Sequence, residues 1–118
     1  MMFEERLPTH VWVDALVRRA LSAGAAAFVL QRGDESRGDV LVKVAELNGN
    51  ARLYGPGMGM DGSRVFLDFT GVQGVGPEET EVDAYVSRAR ERDRDLWVIE
   101  VEDREGRHFI TEPIQKDL

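Results

Sequence analysis

Gly57, Gly59 and Gly62 stand at the G-x-G-x-x-G spacing within "GPGMGMDG", residues 55–62. That fingerprint holds a dinucleotide only in context. A strand must end at the first glycine and a helix must open at the last, so that backbone N–H groups and the helix dipole meet the pyrophosphate. A strand-like segment does precede, but "SRVFLDF" follows and alternates as a strand does. The spacing therefore predicts a hairpin loop, with no nucleotide and no other cofactor. The second glycine cluster, "GVQGVGPEE", does open a helix. There Glu78, Glu79 and Glu81 already occupy the positive end of the dipole and would repel a phosphate. Met58 and Met60 alternate with glycine in the first loop, and flexible, polarisable side chains of this kind suit adaptable contacts, which makes it a candidate interaction loop. The plainer expectation is that one or both fold back over the edge of the core.

Other chemistries find little to work with. The two histidines, His10 and His108, lack the close pairing and the third and fourth ligands of a zinc site. Glu100, Glu102, Asp103 and His108 could gather a divalent ion, but a solvated strand face and turn explains them better, so no metal is expected. None of the four serines sits in G-x-S-x-G. A helix, a run of strands, a helix and a strand match the core order of restriction-endonuclease-like nucleases. Asp39 could serve as their first acid, but "ARLYG" offers no E-x-K on the following strand. Arg18, Arg19, Lys43 and Arg52 are the cations near core elements. Should Arg18 or Arg19 lie beside Lys43, an anion pocket would form. Pairing with carboxylates such as Glu46 or Asp14 is the competing expectation. One-face assignments group Arg19, Lys43, Trp97 and His108 as the candidate ligand site. On that grouping Lys43→Ala should abolish ligand binding and leave the fold intact.

These residues must be placed by regular elements. "PTHVWVDALVRRALSAG" predicts a helix, with Val13, Leu16, Val17, Ala20 and Leu21 on one stripe, Thr9 as N-cap and Gly24 as its stop. "AAAFVLQR" and "DVLVKVAEL" predict strands; Val40, Val42 and Val44 share one face of the second, Leu41, Lys43 and Ala45 the other. "NGN" predicts a tight turn into "ARLYG", and "RVFLDF" a fourth strand. "TGVQGVG" reads as a loop, and "PEETEVDAYVSRARERDR" as a helix, acidic at its start and arginine-rich at its end. "DLWVIEVED" reads as a strand with Trp97, Ile99 and Val101 on one side, "RHFI" as a short edge strand that leaves an open edge, and "TEPIQKDL" as a frayed tail. The order is α-β-β-β-β-α-β-β. It predicts an α+β, two-layer domain: a mainly antiparallel sheet of five or six strands with both helices on one face.

A chain of 118 residues is expected to form one domain, with an ordered core over about residues 8–111. With 42% hydrophobic and 31% charged residues the balance is that of an ordinary globular protein. A net charge of −7 repels nucleic-acid backbones and anionic membranes. The absence of cysteine removes disulfides, thiolate metal sites and thiol nucleophiles together. No segment is apolar enough to span a membrane or direct secretion, which predicts a cytoplasmic location.

Three stretches carry a resemblance: "VWVDALVRRALSAGAAAFVLQRGDESRGDVLVKV", "LYGP" and "DLWVIEVEDREGRHFI". In this order, over about residues 8–111, they resemble a small bacterial family called domain of unknown function 1491. The resemblance implies a compact bacterial cytoplasmic domain and brings no activity or catalytic residues with it. Together these readings predict a non-catalytic interaction or regulatory module, with an unidentified protein partner or a second copy in a homodimer. A small-molecule binder or enzyme, taking an anionic ligand at Arg19, Lys43, Trp97 and His108, is the rival expectation.

Overall fold

The computed structural model describes residues 7–115. Helix α1 spans Thr9–Ser22, with Trp12, Val13, Leu16 and Ala20 buried at helical spacing. Leu21, read as part of the stripe, is exposed. Thr9 is not the N-cap, since Pro8 takes that position; Thr9 is buried, its hydroxyl within hydrogen-bond distance of the carbonyl oxygens of Ser36 and Gly38. Strands β1 (Ala26–Gln31), β2 (Val40–Ala45), β3 (Ala51–Met58) and β4 (Arg64–Asp68) follow. Then come the short helix α2 (Phe69–Gln73), helix α3 (Glu79–Arg92), and strands β5 (Trp97–Glu102) and β6 (Ile114–Gln115). The chain is α+β, with one six-stranded sheet in the order β1-β5-β2-β3-β4-β6.

The sheet is mixed rather than mainly antiparallel: β2–β5 and β4–β6 are parallel pairs. β1 and β2 are not neighbours, because β5 inserts between them, antiparallel to one and parallel to the other. Helix α3 lies in the crossover that such a parallel return requires.

The two long helices also cover opposite faces, so the architecture has three layers where two were expected. Val40, Val42 and Val44 of β2 join Trp97, Ile99 and Val101 of β5 beneath α1. Leu41, Leu53 and Val98 point the other way and pack with Val82, Val86 and Ala89 of α3. Every residue of β2 is buried. The alternation assigned to β2 and β5 holds, but both of its faces are lined by apolar or stem-burying side chains. A central strand of that kind needs a cover on each side.

Three local readings change as well. The turn at Asn48-Gly49 is a five-residue connection, 46–50, with positive φ at Leu47 and Gly49, because Glu46 N–H donates to the Asn50 carbonyl and closes a wider loop. "TGVQGVG" is not wholly a loop: α2 forms where the Asp68 side chain accepts a hydrogen bond from Gly71 N–H. "RHFI" is not a strand either. Residues 103–113 cross the α1 face of the sheet, with Phe109 at φ 64 and Ile110 buried in the core, and pairing resumes only at Ile114–Gln115. The tail thus contributes β6.

Candidate functional site

The crossing segment 103–113 covers part of β3 and β4 beside α1, with His108 against Tyr54 and the Pro113 carbonyl accepting from Phe66 N–H. Its first turn is clamped: the Asp103 carboxylate accepts from Arg107 backbone N–H, Nε and Nη2, each at 2.9 Å. The Arg107 hydrogen bonds outweigh the cost of burial and hold the Asp103 pKa down at about 2. A carboxylate whose pKa falls on folding lends stability above its ordinary value, and loses it as pH drops through the folded one. The clamp is therefore expected to be intact at neutral pH and to open between about pH 4 and pH 2. Asp103→Asn is expected to cost about 2 kcal/mol at pH 7 and little at pH 2, as measured by urea unfolding at both pH values.

Beneath this roof lies an open cleft of about 510 Å³ whose polar lining includes Glu46, Arg52, Tyr54, Asp68, Glu105 and His108. Alternation puts Arg52 and Tyr54 on one face of β3, and register puts Asp68 of β4 opposite Tyr54. Asp68 is buried; one oxygen caps α2 and the other lies 3.4 Å from Arg52 Nη1. Tyr54 is also buried, with the His108 ring edge-on at 4.8 Å. His108 Nδ1 accepts from Ile110 N–H, which orients the ring. Burial pushes the Tyr54 pKa up; Asp68 and Glu46 add to the effect and Arg52 opposes it, so the phenol stays protonated.

The four residues grouped from sequence do not share this cleft. Arg19 donates through Nε and Nη2 to the Phe109 carbonyl at 3.0 and 2.7 Å, tying α1 to the roof. Trp97 is a core residue whose indole N–H donates to the Asp34 carbonyl at 2.7 Å. His108 lines the cleft. Lys43 is on the other side of the sheet, where Nζ meets Asp83 at 2.5 Å, Glu79 at 2.7 Å and Glu100 at 3.4 Å. The one-face grouping failed because Lys43 points toward α3, a layer that the two-layer reading did not contain. Lys43 pairs with carboxylates as the competing reading held, though not with Glu46 or Asp14.

"GPGMGMDG" forms the end of β3 and the 59–63 hairpin into antiparallel β4. Met58 and Met60 do not fold back over the core; both are fully or largely exposed. Gly55 is required by contact: a Cβ there would fall 2.3 Å from Cζ of Phe69. Among the described residues, no group of three or more His, Cys, Asp or Glu is arranged to hold a metal, and no helix is long and apolar enough to cross a membrane.

A second feature was missed in the sequence. β1 is an edge strand, and Phe28, Val29 and Leu30 are all exposed on it, at 48%, 37% and 39%. A register shift between Val29 and Gln31 bulges Leu30 out of the ladder. The open edge had been assigned to the last strand. The available signal was the absence of any charge from Ala25 to Gln31, since protected edges usually carry one.

The family described as "Protein of unknown function (DUF1491)" matches residues 7–111. No curated protein matches the chain. A crystal structure of a DUF1491 family protein from Caulobacter crescentus CB15 is 44% identical, covering 93% of this chain and 100% of that one, with a TM-score of 0.83. An NMR structure of a DUF1491 family protein from the same organism is 43% identical, covers 95% and 99%, and has a TM-score of 0.81. The solution structure of a protein from A. tumefaciens is 32% identical over 97% of this chain and 100% of that chain, with a TM-score of 0.75. The same three stretches that carry the sequence resemblance build α1, β1, β2, β3 and β5 of the shared fold, and the chain belongs to the DUF1491 family.

Proposed function

We propose that this chain is a small cytoplasmic interaction module that pairs through β1 with a second copy of itself. The observation that carries this reading is the β1 edge, where three consecutive apolar side chains stand exposed beside a row of unpaired backbone groups. Such an edge is a template for another strand. Antiparallel pairing of β1 with β1 about a two-fold axis is self-complementary, and it would join two sheets into one. No charged residue lies within Ala26–Gln31 to oppose it. The opposing force is the net charge of −7 on each copy, which salt screens.

Sedimentation over a concentration series tests the reading. A dimer is expected, tighter at high salt than at low. Phe28→Lys with Leu30→Lys should give a monomer with an unchanged melting temperature, since both side chains are exposed and cross-axis lysines repel. A wild-type chain that stays monomeric at every concentration, or a double variant that still dimerises, would reject β1 pairing.

A further inference from the structure

Among the described residues, the buried polar groups are almost all bonded. Thr9, Asp68 and Asp103 meet backbone or side-chain partners, Lys43 meets three carboxylates, and both indole N–H groups find acceptors. The Tyr54 hydroxyl is placed differently, on the wall of the cleft. Tyr54 is 6% exposed, its hydroxyl has no hydrogen-bond partner among the described residues, and it lines the cleft under the 103–113 roof. The ring is buried while the hydroxyl opens onto the cleft, so its O–H is free to bond whatever enters that space.

The charges around it narrow what that is. Asp68 is committed, one oxygen to Gly71 N–H and the other to Arg52. Arg52 spends one nitrogen on Asp68 and is half exposed, so guanidinium N–H groups remain for an acceptor. The Glu46 carboxylate also lines the cleft and has neither hydrogen bond nor ion pair among the described residues. Glu46 N–H bonds the Asn50 carbonyl at 3.0 Å, which places Glu46 one strand over and two residues back from Arg52. Glu105, mostly exposed, adds a second carboxylate at the rim. The cleft thus offers the unpaired Glu46 carboxylate, Glu105 at the rim in a long ion pair with Arg107 at 3.8 Å, a phenol O–H and a guanidinium.

We propose that the cleft binds a free α-amino acid, its ammonium against Glu46 and Glu105 and its carboxylate against Arg52 and the Tyr54 hydroxyl. This site is separate from the β1 edge and does not depend on dimer formation. A ligand carrying only one of the two charges satisfies only half of the cleft. A cleft of this volume accommodates an amino acid with room for its side chain.

The test is a titration of the isotopically labelled chain, followed by NMR, with each common α-amino acid, with ethanolamine and with propionate. At least one amino acid should shift the signals of Arg52, Tyr54, Gly71 and Gly106, and the two half-ligands should shift them weakly. Tyr54→Phe should weaken amino-acid binding about tenfold and leave the melting temperature equal or higher, since it removes a hydroxyl that bonds nothing in the chain. Glu46→Gln should erase the preference for an amino acid over propionate. Three outcomes would overturn the proposal: no amino acid shifts these signals, propionate or ethanolamine binds as well, or Tyr54→Phe binds undiminished. A Tyr54→Phe chain that melts well below wild type would also overturn it, by showing that the hydroxyl has a partner within the protein.

Discussion

Lys43→Met is expected to destabilise the fold by about 3 kcal/mol, read as a lower urea midpoint with little change in slope. Under the rival ligand-pocket reading of the sequence, this lysine could be removed with the fold intact. The structure makes it the bolt between α3 and the sheet. Its side chain is 5% exposed, Glu79 and Asp83 reach it from successive turns of α3, and Glu100 stands directly opposite on β5. Burial by itself would lower its pKa, but the hydrogen bonds to Asp83 and Glu79 and the charges of Glu100 and Asp83 more than reverse this and hold it well above the ordinary 10.5. Removing the ammonium leaves three carboxylates facing one another. Water recovers part of the loss at Asp83 and Glu79, which are 54% and 32% exposed, and less at Glu100, which is 16% exposed.

The two ends of the Lys43–Glu100 contact differ. Lys43 is held charged, whereas the pKa of Glu100 is raised by burial despite Lys43, with Glu102 adding to the rise. One ammonium divided among three carboxylates serves each of them weakly. Glu100→Gln should therefore change stability by no more than about 0.5 kcal/mol. The pH dependence follows in sign. The Lys43 contribution is complete below the ordinary lysine value of 10.5 and is lost only as pH rises beyond it toward the higher folded value. Glu100 instead disfavours folding in full above its raised folded value, and the penalty fades as pH falls from there to the ordinary 4.5. The Lys43→Met chain should gain stability between pH 7 and pH 5. A variant equally stable at both pH values would show that the carboxylates do not depend on Lys43.

Gly38→Ala is expected to cost about 3 kcal/mol and to lower the melting temperature by roughly 10 °C. A Cβ on Gly38 would sit 2.3 Å from the Asp95 carbonyl oxygen and 2.9 Å from Cδ1 of Trp97. A Cβ on Gly33 would meet the same oxygen as closely. The connection from β1 to β2 is drawn against the start of β5 by Asp34 N–H to the Asp95 carbonyl, Trp97 N–H to the Asp39 carbonyl, and the Trp97 indole to the Asp34 carbonyl. Neither backbone can retreat without breaking that set. Gly49→Ala is the control: it has φ +92 and nothing within 4 Å of the new methyl, so it should lose only the conformational term of about 1 kcal/mol. Equal losses at Gly38 and Gly49 would mean that the close approach to Asp95 carries no weight.

Periodicity alone determined most of the elements. α1, α3 and the first five strands stand close to where the hydrophobic pattern placed them, because period 3.6 and period 2 are local properties of a chain. The hairpin reading of "GPGMGMDG" was legible for the same reason, since the alternation of "RVFLDF" excludes a helix at Gly62. Which strands are neighbours was not local. β5 enters between β1 and β2 from more than fifty residues away, and that one insertion makes the sheet mixed and gives Lys43 its partner Glu100. The opposite placement of α1 and α3 depends on β2 being buried on both faces, which the lysine at its centre disguised. The cleft is likewise tertiary. Arg52, Tyr54 and Asp68 come from paired strands, while Glu105 and His108 arrive on a segment that read as a turn and an edge strand. Sequence spacing sets which way a side chain points along its own element. Only the packing of elements decides what it meets there.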